Sequence, residues 1–94
     1  MTDVSIIVPL YNEQDNVARL CAATHEALAR MPRTYELVLV DDGSRDGTRD
    51  AAAAIARGDQ RVRLVVLARN SGQTAAMAAG MAHASGKYLV TMDG

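Results

Sequence analysis

Four short apolar runs recur along the chain, and longer stretches of mixed polarity separate them. The strands predicted from these runs occupy residues 4–9, 35–40, 61–67 and 88–92, and the third begins with alternating polar and apolar residues before it becomes fully apolar. Runs of this length, rich in β-branched residues, are typical of strands that are buried on both faces of a parallel sheet. Pro9 ends the first strand, because proline has no N–H with which to continue the sheet ladder.

The stretch after the first strand predicts an amphipathic helix. Apolar residues recur at every third or fourth position from Val17 to Met31, as they do on the buried face of a helix. Asn12 and Asp15 are candidate caps at its start, and Pro32 ends it.

Two further helices are expected between the later strands. The second helix is expected over residues 46–57, with Ser44 or Asp46 as its cap. The third is expected over residues 72–84, with Ser71 as its cap, and its inward face is small enough to approach a sheet closely. The residues expected to face inward are Ala51, Ala52, Ala54 and Ile55 in the second helix and Ala75, Ala76, Ala79, Gly80 and Ala82 in the third.

Strands that alternate with helices in this way predict an α/β fold, a Rossmann-like parallel sheet with flanking helices and right-handed crossovers. The chain has 94 residues, enough for one small domain. A domain of this size buries roughly 60–70% of its unfolded surface, so one modest core is expected.

Charge and cysteine content exclude several classes of protein. The net charge is -1 and the ten basic residues are scattered, which argues against nucleic acid as a partner. No apolar run approaches the ~18 residues of a membrane span and no signal peptide precedes Val4, so we expect a cytoplasmic location. The single cysteine, Cys21, excludes an internal disulfide and is expected to be buried on the apolar face of the first helix.

Polar residues follow each predicted strand, and parallel strands bring their carboxyl ends to one edge of the sheet. Several carboxylates at one edge repel each other without a cation, and oxygen-rich sites suit Mg²⁺ or Mn²⁺. A divalent ion held by few carboxylates completes its shell with phosphate oxygens, so the pattern indicates a nucleotide or phosphate ligand. The alternative is a plain turn with capping residues. The residues gathered at this edge are Pro9, Tyr11, Asn12, Glu13, Asp41, Asp42, Arg69, Asn70 and Asp93.

The common phosphate-binding loops are absent from the sequence. Neither G-x-x-x-x-G-K-[ST] nor G-x-G-x-x-G follows the first strand, which disfavours P-loop nucleotidases and ordinary dinucleotide-binding domains. A phosphoacceptor receiver domain would carry its acidic pair after the first strand, and here the pair follows the second. A sugar-nucleotide pyrophosphorylase would need a Gly-rich loop with Arg and Lys after the first strand, and none is present.

Three motifs resemble those of family 2 glycosyltransferases of the GT-A fold. They are I-I-V-P-L-Y-N-E at residues 6–13, V-D-D-G-S-R-D-G-T at residues 40–48 and R-N-S-G at residues 69–72. The tail G-K-Y-L-V-T-M-D at residues 86–93 continues the likeness, so the resemblance covers essentially the whole chain. Within the family, the sequence is most similar to polyprenyl-phosphate glycosyltransferases of the dolichol-phosphate mannosyltransferase type.

The resemblance implies a role for five residues in nucleotide binding. Pro9, Tyr11 and Glu13 would line the nucleotide pocket. Asp42 would contact the base, with Asp41 beside it.

The resemblance also implies a metal ligand at the end of the chain. Asp93 matches the first aspartate of the D-x-D motif that holds Mg²⁺ or Mn²⁺ on the donor diphosphate, and the second aspartate would be residue 95. We therefore expect residues 1–94 to be the nucleotide-sugar-binding N-terminal part of a glycosyltransferase domain, inactive alone, with catalytic residues outside it.

The function implied is that of an inverting, metal-dependent glycosyltransferase of the cell envelope. It would transfer a sugar from a UDP- or GDP-sugar to polyprenyl phosphate at the cytoplasmic face of the membrane. The alternative is a non-catalytic nucleotide-binding module that self-associates, as a homo-oligomer, through an exposed sheet edge.

Overall fold

The computed structural model describes residues 2–92 as a four-stranded parallel sheet with three helices. The predicted α/β fold with a Rossmann-like sheet is confirmed. The strands lie in the order β3-β2-β1-β4, and all three neighbouring pairs are parallel. The elements are β1 (Val4–Leu10), α1 (Val17–Leu28), β2 (Tyr35–Asp42), α2 (Thr48–Gly58), β3 (Val62–Leu67), α3 (Gln73–His83) and β4 (Tyr88–Thr91).

The core lies on both faces of the two central strands, β1 and β2. Successive residues of a strand point to opposite faces, so each strand contributes to two apolar clusters. One cluster joins the sheet to α1 and α2 through Val17, Cys21 and Ala52, and the predicted burial of Cys21 is confirmed. The other joins the sheet to α3 through Ala76, which packs with Ile7, Val38 and Val40.

Helix α3 approaches the sheet closely because its inward face is small. A β-carbon on Gly80 would lie 2.5 Å from Cγ2 of Ile7 and 2.9 Å from Cγ2 of Val40. Ala76 and Gly80 are buried, as predicted, whereas Ala75 and Ala82 are exposed because they lie on the solvent side of the helix.

Helix α1 is shorter than predicted. It begins at Val17, because residues before it form a loop in which Asn12 has a φ of 51°. Neither Asn12 nor Asp15 therefore caps the helix, and Asn16 occupies the capping position without a side-chain hydrogen bond. The helix ends at Leu28, and Met31, predicted to face the core, is exposed beyond it.

The starts of the other two helices also differ from the prediction. Helix α2 begins at Thr48, although the carboxylate of Asp46 does accept a hydrogen bond from the Thr48 N–H at 2.9 Å. Ala54, predicted to face inward, is exposed. Ser71 does not cap α3, because Gly72 occupies the capping position and the Ser71 hydroxyl donates to the Arg69 carbonyl at 3.1 Å.

The amino-terminal edge of the sheet holds a buried carboxylate, Glu36. Ser5 donates to its Oε2 from the hydroxyl at 2.6 Å, and Ser85 donates to the same oxygen from its N–H at 2.7 Å and its hydroxyl at 2.9 Å. Burial would raise the pKa of Glu36, but these hydrogen bonds and the guanidinium of Arg63 outweigh it, so the pKa is lowered. The network joins β1 and β2 to the segment that enters β4.

Strand β4 is the edge strand beside β1, and all four of its residues are exposed. Across residues 2–92, no helix combines the length and the apolar character required to cross a bilayer.

Candidate functional site

A cavity of about 340 Å³ opens at the carboxyl ends of β1 and β2. Open α/β sheets bind their ligands at this edge. The cavity draws residues from three segments that are distant in sequence, the ends of β1 and β2 and the start of α3. Its lining residues are Pro9, Leu10, Tyr11, Glu13, Asp42, Asn70, Gly72 and Gln73.

Three of the residues predicted for the nucleotide pocket come from the end of β1 and the loop that follows. Pro9 lies near the end of the strand, and Tyr11, directly after it, is 43% exposed and lines the cavity. Glu13 also lines the cavity, and its Oε2 accepts a hydrogen bond from Nδ2 of Asn16 at 3.1 Å. The structure thus brings Pro9, Tyr11 and Glu13 together.

Asp42, the last residue of β2, also lines the cavity and is only 4% exposed. Its Oδ1 accepts a hydrogen bond from the Ser71 N–H at 2.8 Å. Its Oδ2 accepts hydrogen bonds from the Gly72 N–H and from Nδ2 of Asn70, each at 3.1 Å. The carboxylate therefore orders the loop that leads into α3.

Asp41, expected beside Asp42 in the nucleotide pocket, is not among the residues that line this cavity. Strand β2 continues through both aspartates, so their side chains point to opposite faces of the sheet. Asp41 is 2% exposed, and within the described part of the chain its Oδ1 has no hydrogen-bond partner.

The expected convergence of carboxylates is not seen among residues 2–92, where no three His, Cys, Asp or Glu side chains are grouped as metal ligands. Asp41 faces away, and the carboxylate of Asp42 is engaged by the loop before α3. The described residues alone therefore do not fit a metal site. Asp93, the predicted metal ligand, and Gly94 lie outside the described residues.

The loop after β1 is joined to the loop after β2 by side-chain hydrogen bonds. The Asn12 N–H donates to Oγ of Ser44, and the Arg45 N–H donates to Oδ1 of Asn12, both at 2.9 Å. The Glu13 N–H donates to Oγ1 of Thr48 at 2.7 Å. This connection positions the loop that carries Tyr11 and Glu13.

A family model described as glycosyl transferase family 2 matches residues 5–94. The chain belongs to this family. Its cavity lies where the family's motifs, at residues 6–13, 40–48 and 69–72, meet in the fold.

Two bacterial relatives of this family 2 chain carry names that include a polyprenyl phosphate. The chain is 43% identical over 93 residues to a dodecaprenyl-phosphate galacturonate synthase from Rhizobium johnstonii, covering 98% of the chain and 28% of that protein. It is 42% identical over 92 residues to an undecaprenyl-phosphate 4-deoxy-4-formamido-L-arabinose transferase from Klebsiella pneumoniae subsp. pneumoniae, covering 96% of the chain and 28% of that protein. The chain thus spans little more than a quarter of the length of these relatives.

The fold is shared with a solved glycosyltransferase. The mannosyltransferase PcManGT from Pyrobaculum calidifontis, in complex with GDP-Man and Mn²⁺, superposes with a TM-score of 0.82 and is 28% identical. The match covers 96% of this chain and 26% of that protein.

Sequence reasoning missed several residues that build this family 2 site. Leu10 and Gln73 line the cavity but were not among the predicted site residues. Asn70 was placed at this edge of the sheet, and its contact with Asp42 joins β2 to α3. For the lining residues near the start of α3, the sequence signal is the polar segment R-N-S-G at residues 69–72, directly after the third predicted strand.

Proposed function

We propose that residues 1–94 are the nucleotide-sugar-binding part of a family 2 glycosyltransferase that uses a UDP- or GDP-sugar as donor. The observation that carries this proposal is the cavity at the carboxyl edge of the sheet, which Pro9, Tyr11, Glu13 and Asp42 line together. A cavity with one exposed aromatic ring and a few fixed polar groups suits a base and a ribose.

Three of the lining residues have chemistry that fits a nucleoside. The exposed ring of Tyr11 offers an apolar surface to a base, and Glu13 can accept hydrogen bonds from ribose hydroxyl groups. A carboxylate has about four acceptor positions, and the loop before α3 uses three of those on Asp42. The position left on Oδ1 can accept an N–H from uracil or guanine.

The reaction proposed for the whole protein is transfer of the sugar to a polyprenyl phosphate with inversion at the anomeric carbon. The names of the two bacterial relatives support this acceptor. An acceptor phosphate is already anionic, so it needs little help from a base. Because such an acceptor is anchored in a bilayer, we place the protein at the cytoplasmic face of the membrane and in the synthesis of the cell envelope.

We also propose that Mg²⁺ or Mn²⁺ takes part, with Asp93 as its ligand from this chain. The Mn²⁺ bound to the mannosyltransferase from Pyrobaculum calidifontis supports this cofactor. When bound, a divalent ion neutralises negative charge on the departing nucleotide diphosphate.

Calorimetric titration of UDP and of GDP into the chain, with and without Mn²⁺, tests the donor site. We expect one of the two nucleotides to bind, with higher affinity in the presence of Mn²⁺, and ADP to serve as the control for nonspecific phosphate binding. Absence of binding by UDP and GDP to a folded sample would contradict the proposal that these residues hold the donor.

A second candidate function is that of a nucleotide-binding module that self-associates without catalysis. The observation that favours it is the exposure of all four residues of β4 at the edge of the described sheet. Such an edge presents unpaired backbone N–H and C=O groups to another chain.

A further inference from the structure

We infer that Thr48 is a positioning residue for the donor nucleotide, acting through the backbone of Glu13 on the cavity wall. This inference rests on the proposed function of the cavity. Thr48 does not line the cavity and is the first residue of α2. Its hydroxyl accepts a hydrogen bond from the Glu13 N–H at 2.7 Å across 35 positions of sequence.

The hydroxyl of Thr48 also has a second partner, which orients it. Thr48 is fully buried, and its hydroxyl donates to Oδ1 of Asp46 while its own N–H donates to the same oxygen at 2.9 Å. Because the hydroxyl donates its proton to Asp46, its oxygen is oriented to accept the hydrogen bond from the Glu13 N–H. The hydrogen bond from Thr48 is the largest of the causes that lower the pKa of Asp46, so this carboxylate is ionised at neutral pH.

Neighbouring contacts extend the connection along the loop after β1. The Gln14 N–H donates to Oδ2 of Asp46 at 3.4 Å, and Oε1 of Gln14 accepts from the Gly47 N–H at 2.9 Å. A β-carbon on Gly47 would lie 3.0 Å from Cδ of Gln14, so the two loops meet with little space between them. We call the connection formed by Glu13, Gln14, Asp46, Gly47 and Thr48 the loop clamp.

The loop clamp holds in place the part of the loop after β1 that lines the cavity. Tyr11 and Glu13 line the cavity on either side of Asn12, whose φ of 51° lies in the left-handed region, which asparagine adopts more often than most other non-glycine residues. Backbone in this conformation persists when surrounding contacts determine it. Release of the Glu13 N–H by loss of the Thr48 hydroxyl would free this segment to sample other conformations and lower the fraction competent to bind.

The test compares Thr48→Val with Thr48→Ser and with Thr24→Val. Thr24 is a matched control, because it is also a buried threonine with a hydrogen-bonded hydroxyl, which donates to the Leu20 carbonyl within α1. We expect Thr48→Val to weaken binding of UDP or GDP about tenfold, the size of effect that one well-formed hydrogen bond supports. Thr48→Ser keeps the hydroxyl and should restore affinity, and Thr24→Val should leave it within about twofold.

Hydrogen exchange at the Glu13 amide is a second readout that general destabilisation would not reproduce. Thr48→Val should accelerate this exchange selectively, whereas Thr24→Val should affect amides around α1 and leave Glu13 protected. Equal nucleotide affinity in Thr48→Val and in the unsubstituted chain would overturn the inference. Failure of the unsubstituted chain to bind either nucleotide would instead overturn the proposed function.

Asp46→Asn is a second variant that does not disturb the core, since Asp46 is exposed. Its matched control is Asp50→Asn, an exposed aspartate in the first turn of α2 that pairs only with Arg49, at 3.9 Å, among the described residues. We expect Asp46→Asn to weaken nucleotide binding by about threefold to tenfold and Asp50→Asn to have no effect. Equal affinity in these two variants would also count against the loop clamp.

Discussion

A β-carbon on Gly43 would lie 2.3 Å from the backbone nitrogen of Asn70, a distance that no side chain can occupy. Gly43 also has a φ of 69°, in the left-handed region that favours glycine. At Gly43, the loop after β2 therefore packs directly against the backbone of Arg69 and Asn70 in the loop after β3. This close approach allows Asn70 to reach the carboxylate of Asp42.

Gly43→Ala should destabilise the fold and distort the cavity. Backbone strain of roughly 1–3 kcal/mol adds to a clash with backbone atoms that cannot rotate away. We expect a loss of at least about 3 kcal/mol in the free energy of unfolding, measured by urea denaturation. Gly58→Ala is the control, because a β-carbon there meets nothing within 4 Å and should add up to about 1 kcal/mol of helix stability.

Replacement of the two neighbouring aspartates should have different effects on stability. Asp42→Ala removes the acceptor of the Ser71 and Gly72 N–H groups, and we expect a loss of about 1–3 kcal/mol in addition to weaker nucleotide binding. Asp41→Asn removes a charge from a buried oxygen without a partner among the described residues, so we expect unchanged or higher stability. Thermal unfolding of both variants at neutral pH checks this, and lower stability of Asp41→Asn would indicate a partner for that carboxylate.

The strands and helices could be predicted because their signals are local. Each strand is an apolar run, and the helices follow from apolar spacing and small residues. The apolar run of β2 stops at Val40, so the sequence predicts Asp41 and Asp42 side by side at the carboxyl end of the strand, where both could face a ligand. In the structure the strand continues to Asp42, and alternation separates the two carboxylates.

The polar contacts of the site could not be predicted in the same way. The hydrogen bond between Glu13 and Thr48 joins residues that are 35 positions apart in sequence. The hydrogen bond between Asn70 and Asp42 joins residues that are 28 positions apart. Local patterns predict a helix over residues 46–57, which includes Thr48, but they do not identify the partner of the Thr48 hydroxyl. Pro9, Tyr11, Glu13 and Asp42 were predicted for the site and line the cavity, whereas the lining by Leu10 and Gln73 and the hydrogen bond between Glu13 and Thr48 were not predicted.

Glu36→Gln should change how stability depends on pH. The folded pKa of Glu36 is lowered, so its contribution to stability is complete above its ordinary pKa of 4.5 and is lost as pH falls through the folded value. Urea denaturation should therefore show Glu36→Gln to be about 1–2 kcal/mol less stable than the unsubstituted chain at pH 7.

Below the ordinary pKa of Glu36, the difference in stability should shrink, because the unsubstituted chain then loses the charged hydrogen bonds from Ser5 and Ser85. Glu26→Gln changes an exposed glutamate and is the control. Its free energy of unfolding should stay close to that of the unsubstituted chain at every pH. A deficit of Glu36→Gln that is constant from pH 7 to pH values well below 4.5 would show that charge on Glu36 does not stabilise the fold.

Val90→Lys tests whether the exposed edge at β4 supports self-association. Val90 is an exposed residue of β4, and lysine on an edge strand opposes pairing with another chain. If copies associate through β4, sedimentation velocity should show concentration-dependent oligomers that Val90→Lys abolishes. Val66→Lys places the same charge at an equally exposed position on β3, the edge strand on the other side of the described sheet, and should leave the oligomers intact. Both variants add one positive charge, but they add it to different edge strands. Loss of oligomers in both variants would therefore indicate general charge repulsion. A monomer at all concentrations in the unsubstituted chain would remove self-association as a function and leave donor binding as the role of these residues.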